Sequence, residues 1–163
     1  MTEHAIRSLL EEAGARRLGA LVDKPAERLR PRLTPETYLG AARAERWLHR
    51  PRPGVRDYPG VNGRLYRDHF ALAGRWRVDD ESATAVRGAV VRARITGRSV
   101  YLVLSSRGDR PRRLEVAVDG RRSGHVTVRR QRLYRLLTLP RRGSHRLALR
   151  LEPGLSAYAF TFG

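Results

Sequence analysis

Residues 89–95 read AVVRARI, and their alternation decides the fold class. Val91, Ala93 and Ile95 fall on one side of a pleated strand, while Val90, Arg92 and Arg94 fall on the other. That pattern marks an antiparallel strand with one face buried and one wet. The TGRS segment at 96–99 reads as a turn, and VYLVLS at 100–105 as a denser apolar strand. Working outward, FALAGRWRV (70–78) puts Leu72, Trp76 and Val78 inward around Gly74. LEVAV (114–118) alternates Leu114, Val116 and Val118 against Glu115 and Ala117, then ends at Asp119-Gly120, the strongest hairpin signal in the chain. HVTVR (125–129), RLYRLLTL (132–139), HRLALRL (145–151) and AYAFTF (157–162) complete the series. HRLALRL sends Leu147, Leu149 and Leu151 inward and Arg146, Ala148 and Arg150 outward. About eight short strands separated by Gly, Pro and Asp turns predict an antiparallel β-sandwich, jelly-roll-like or a related Greek key. No regular βα alternation follows residue 65, which disfavours a doubly wound sheet.

Upstream the period is longer. Ile6, Leu9, Leu10 and Ala13 fall at helical spacing, with Thr2 as N-cap and Gly14 as stop, and residues 15–33 read as a connector. Thr34-Pro35-Glu36-Thr37 has the form of a second helix start, so TYLGAARAERW (37–47) reads as one helix or as a helix bent at Gly40. Residues 50–63, RPRPGVRDYPGVNG, read as loop. The expected organisation is a helical segment and connector over 1–33, then a sandwich over 34–163.

Thirty-four basic against sixteen acidic residues give a net charge of +18 on 163 residues. Lys24 is the only lysine, and the arginines are scattered along the chain rather than gathered on one element. Arginine forks onto phosphate and stacks on bases, so one reading is nucleic-acid binding. The other reading is GC-rich codon usage, consistent with abundant Ala, Gly and Pro, and the scatter favours it. The absence of cysteine excludes disulfides, thiolate metal sites and thiol redox chemistry within the chain. The opening MTEHAIRSLLEEAG carries acids and lacks an apolar h-region, so no signal peptide is expected. No run approaches the roughly 20 apolar residues of a membrane span.

Catalytic groupings are sparse. His4, His49, His69, His125 and His145 sit in separate segments, with no pair at metal-ligand spacing. Neither a phosphate loop nor a nucleophile elbow around Ser105 or Ser106 is present. Asp79-Asp80-Glu81 is the one acidic run; it is a weak candidate for Ca²⁺ ligation and reads better as a solvated turn. Glu115 and Asp119 are not marked as a glycosidase pair. No cofactor is expected. Among the aromatics, Trp76, Phe160 and Phe162 read as core. Tyr58 and Tyr66, flanking the Pro/Gly loop, together with Trp47, are the candidates for a surface that stacks on sugar rings or unpaired bases.

Particular stretches carry a family resemblance. TPETYLG (34–40) followed by ARAERW (42–47), then GRW (74–76), RSVYLVL (98–104), VAVDG (116–120), RLYRLL (132–137) and the terminal PGLSAYAFTFG (153–163) occur in order. Together they resemble the C-terminal module of DipZ-type proteins, thiol–disulfide proteins linked to cytochrome c biogenesis. TEHAIRSLLEEAG resembles the last helix of the thioredoxin domain that precedes it. The resemblance implies a carbohydrate-binding-module-like β-sandwich on the extracytoplasmic side of a membrane, beside a redox domain whose CxxC pair has no counterpart in this chain.

The function expected is therefore a non-catalytic accessory module that binds a cell-envelope glycan or a thioredoxin-like protein partner. The alternative is an arginine-rich protein that binds nucleic acid electrostatically. A third reading makes the chain a subunit completed by another polypeptide that carries the CxxC domain.

Overall fold

The computed structural model describes residues 32–163, so the expected helix at 5–13 and the connector lie outside the described residues. Eight strands follow: β1 (Thr37–Tyr38), β2 (Gly54–Pro59), β3 (Phe70–Val78), β4 (Ala83–Ser106), β5 (Arg112–Val118), β6 (Arg121–Val128), β7 (Arg132–Leu151) and β8 (Leu155–Phe162). All pair antiparallel, as the alternating patterns require.

The two long strands make the sandwich. The first half of β4 pairs with β3 and with the second half of β7, which also carries β5 and then β6. The second half of β4 pairs with the first half of β7 and with β8, and β8 carries β1. One layer is thus β2-β3-β4-β7-β5-β6 and the other β7-β4-β8-β1. Both long strands pass from one layer into the next at the Gly97–Gly143 pair, beside register shifts that bend the ladder. TGRS is therefore a bend inside one strand rather than a reversal, and the same holds for the segment between RLYRLLTL and HRLALRL. The polar residues and glycines were a true signal; they mark a corner instead of an end.

The space between the layers is filled as the alternation predicts. Trp76, Phe70, Phe160, Leu72, Leu102, Leu104 and Leu149 are fully enclosed, and Val91, Ile95, Leu114 and Val116 join the same cluster. The Asp119-Gly120 turn closes the β5–β6 hairpin with positive φ at both residues, 51° and 79°, the geometry that Asp-Gly adopts readily.

Two local readings are corrected. Residues 37–47 are not helical, because their backbone donors are spent on distant chain: Leu39 N–H on Tyr158 O, Ala41 N–H on Asp79 O, Ala42 N–H on Asp80 O. Thr34 caps no helix. Its hydroxyl donates to Asp68 Oδ1 at 2.5 Å and accepts Thr96 N–H at 2.7 Å, fastening the segment to β4. These tertiary bonds override a local propensity worth tenths of a kcal/mol. The 50–63 loop contains β2, a sheet-edge strand paired to β3 from Gly54↔Val78 to Pro59↔Ala73; Pro59, which lacks an N–H, is tolerated at such an edge.

Candidate ligand groove

The outward face of the first layer is set by the register of three strands. Arg92 of β4 stands opposite Ala148 of β7, which stands opposite Ala117 of β5. One step along, Arg94 stands opposite Arg146. The segment between β2 and β3 folds over this face. It is held there by Arg94, whose guanidinium donates to Leu65 O at 3.4 Å and whose backbone N–H bonds His69 O at 3.0 Å. The result is a groove of about 880 Å³ with Ala117 and Ala148 in its floor, Val61 and Leu65 in its wall, and Arg64, Arg92, Arg94 and Arg146 around it.

Its charge is one-sided. Arg64, Arg92, Arg94 and Arg146 enter no ion pair among the described residues. Two acids flank it, and both are already engaged: Asp68, beside Arg94, accepts the Thr34 hydroxyl, while Asp119 Oδ1 accepts Arg146 N–H at 2.8 Å and its Oδ2 lies 2.8 Å from His145 Nδ1. Partial burial pushes this carboxyl up, but the hydrogen bonds from Arg146 and His145 and the charges of both side chains outweigh it and hold the carboxyl below its ordinary value. The dyad has no nucleophile, since His145 Nε2 is enclosed without a hydrogen-bond partner.

The sequence candidates are dispersed. Tyr66 is 77% exposed, on the same crossing segment as the groove wall, edge-on to His69. Tyr58 is buried, and its hydroxyl accepts Arg52 N–H at 3.1 Å. Trp47 is also buried, its ring against Phe70 and its Nε1 donating to Tyr38 O at 3.0 Å. Of the three, only Tyr66 presents its ring to solvent, and the three do not form one platform. In Asp79-Asp80-Glu81, Asp79 Oδ1 accepts the N–H groups of Glu81 and Ser82 at 2.9 and 2.7 Å, the closed turn that short acidic side chains favour. Among the described residues no three acids, histidines or cysteines gather closely enough to hold a metal. Ser105 Oγ meets Tyr158 Oη, and Ser106 Oγ is bonded by Arg112.

Of the groove arginines, Arg92, Arg94 and Arg146 were visible in the sequence as outward members of AVVRARI and HRLALRL, while Arg64 lies in the crossing segment. What the sequence lacked was the pairing of those two strands in a register that places the arginines side by side.

Comparison with known proteins agrees with this architecture. Residues 34–163 match the family described as a thioredoxin-like C-terminal domain. The whole chain is 29% identical over 174 residues to proteins named DipZ from Mycobacterium bovis and Mycobacterium tuberculosis, and it spans only 24% of the length of each. Among solved structures, a family two carbohydrate esterase from Clostridium thermocellum, determined in complex with cellohexaose, shares the fold. The superposition covers 58% of this chain and 31% of the esterase, with a TM-score of 0.51 and 20% sequence identity.

Proposed function

The chain belongs to the thioredoxin-like C-terminal domain family, and from that premise we propose that this accessory β-sandwich module is non-catalytic and captures a glycan in the groove across β4, β7 and β5. The observation that carries the reading is the groove itself. Its alanine floor leaves room, its Val61 and Leu65 wall offers an apolar surface to a sugar face, and its guanidiniums offer donors to hydroxyl and charged oxygens. Tyr66 adds an exposed ring on the same crossing segment.

A binding role without chemistry is supported by how the reactive side chains are spent. Asp79 closes its own turn, Glu115 lies 3.5 Å from Arg122, and the His145–Asp119 pair faces no nucleophile. The module would work beside the redox domain of its longer relatives, on the extracytoplasmic side of a membrane, holding that domain near the cell envelope. No helix among the described residues is long and apolar enough to cross a membrane.

The test is an amide chemical-shift titration of the full chain against neutral and acidic cell-envelope oligosaccharides. Saturable shifts centred on Ala117, Ala148 and the 61–65 segment are expected, and Ala117→Trp, which fills the floor, should abolish them. Titrations that never saturate, or saturable shifts clustered on the opposite layer, would overturn the assignment. Binding only to a thioredoxin-like protein would transfer the role to a protein partner.

A further inference from the structure

Residues opposite one another in an antiparallel pair share a face, with Cβ atoms about 4.5–5.5 Å apart, and like charges so placed repel. Arg94 and Arg146 stand in that relation, and Arg92, two residues before Arg94 on the same strand, shares their face. The crossing segment brings Arg64 to the same groove. Elsewhere in the first layer two acids stand among the cations. Glu115 stands across from Arg150 and lies 3.5 Å from Arg122, and Arg75 pairs with Asp57 at 3.1 Å. Arg75 also stands opposite Arg87, so a facing arginine pair is not peculiar to the groove; what sets the groove apart is four arginines around one cavity whose lining holds no acid.

The unmatched donors are numerous. Each guanidinium carries five N–H groups. Arg94 commits one to Leu65 O, and the side chains of Arg64, Arg92 and Arg146 form no hydrogen bond among the described residues. Asp119 draws on the field of Arg146, yet both its oxygens are already taken by His145 and the Arg146 backbone. An incoming oxyanion would relieve the repulsion between Arg94 and Arg146 while meeting a fork geometry suited to carboxylate or phosphate. The Val61 and Leu65 wall and the alanine floor give the rest of the ligand something uncharged to lie on.

Resting on the glycan reading above, we infer that the groove selects an acidic glycan, one whose carboxylate or phosphate groups sit among Arg92, Arg94 and Arg146 while its rings lie against the Val61–Leu65 wall. A net charge of +18 would draw any polyanion toward the molecule, so the inference concerns this face and not the overall field. The two contributions separate by position, because screening confines exposed charges to about 8 Å at physiological salt.

The experiment uses two matched pairs of probes on the full chain at physiological salt: tetragalacturonate against its fully methyl-esterified form, and glucose 1-phosphate against glucose. A thymidine octanucleotide serves as a third polyanion. In at least one pair the acidic member should bind about tenfold or more tighter than its neutral counterpart, the effect of one or more charge-assisted hydrogen bonds. Which pair shows it tells carboxylate from phosphate. The double variant Arg92→Ala/Arg146→Ala should remove that preference. Arg141→Ala/Arg142→Ala, which deletes equal charge from exposed positions outside the groove, should leave it within about twofold. Saturable binding of sugars in the groove with no preference for the acidic members would overturn the acidic class and leave glycan capture standing. Equal weakening by both double variants, with the octanucleotide bound most tightly, would overturn both in favour of bulk electrostatic attraction.

Discussion

His145 Nδ1 lies 2.8 Å from Asp119 Oδ2, so the second half of β7 is tied to the turn that closes the β5–β6 hairpin. Asp119 N–H also donates to Arg146 O at 2.8 Å, which makes the turn and the strand a single hydrogen-bonded unit at one end of the groove.

That contact predicts an acid sensitivity with a definite sign. Because the Asp119 carboxyl is held below its ordinary value of 3.8, its stabilisation is present above that pH and is lost as pH falls through the lowered folded value. The carboxylate is about half exposed, so the gain is small, about 1 kcal/mol or less. Asp119→Asn should therefore be less stable than the parent from about pH 5 upward, with the gap closing on acidification toward about pH 2. Denaturant melts across that range check it. A gap that stays constant would remove the carboxylate from the account.

Trp76 is completely enclosed, and its Nε1 donates to Ala73 O at 2.8 Å. Trp76→Ala should cost about 3–5 kcal/mol, combining the cavity with an orphaned carbonyl. Equilibrium unfolding measures it, and a midpoint unmoved by the substitution would place the core elsewhere.

The β3 bend depends on Gly74, which has φ +82° and faces the Gly88 backbone, where an added Cβ would collide with the carbonyl. Gly120 has a similar φ of +79°, but open space lies around it. Gly120→Ala should thus cost about 1 kcal/mol for backbone strain alone, and Gly74→Ala distinctly more. The order of the two melting temperatures is the check; equal losses would mean that the approach of Gly74 to Gly88 is slack.

Two tyrosines that look alike in sequence should behave oppositely. Tyr66→Ala, at an exposed ring, should change stability by less than about 0.5 kcal/mol while weakening any ligand held against the crossing segment. Tyr58→Ala removes a buried ring and leaves Arg52 N–H without its acceptor, for a loss of about 2–4 kcal/mol. Paired thermal melts and ligand titrations read both effects.

The β-sandwich was legible because period-two alternation reports burial directly: Val91, Ile95, Leu147 and Leu149 are enclosed where the pattern put them. Chain direction was less legible. Glycine and polar residues signal departure from a flat strand, and the same composition serves a reversal at Asp119-Gly120 and a bend at Gly97–Gly143. Thr34-Pro35-Glu36-Thr37 misled for a related reason. A threonine hydroxyl satisfies a helix N-terminus or a distant strand equally well, and only the position of Thr96 and Asp68 decides. The groove was least legible, because it depends on inter-strand register, which no single segment contains.

β4 and β7 each run through both layers, so neither layer has a full set of strands of its own. Peeling one half of the molecule must drag on the other, and intermediate states with one half intact are disfavoured. Melting is therefore expected to be all-or-none. It also follows that a guest gripped on the outer surface of one half protects the whole module: occupancy should delay proteolysis and amide exchange even along β8, which never touches the guest.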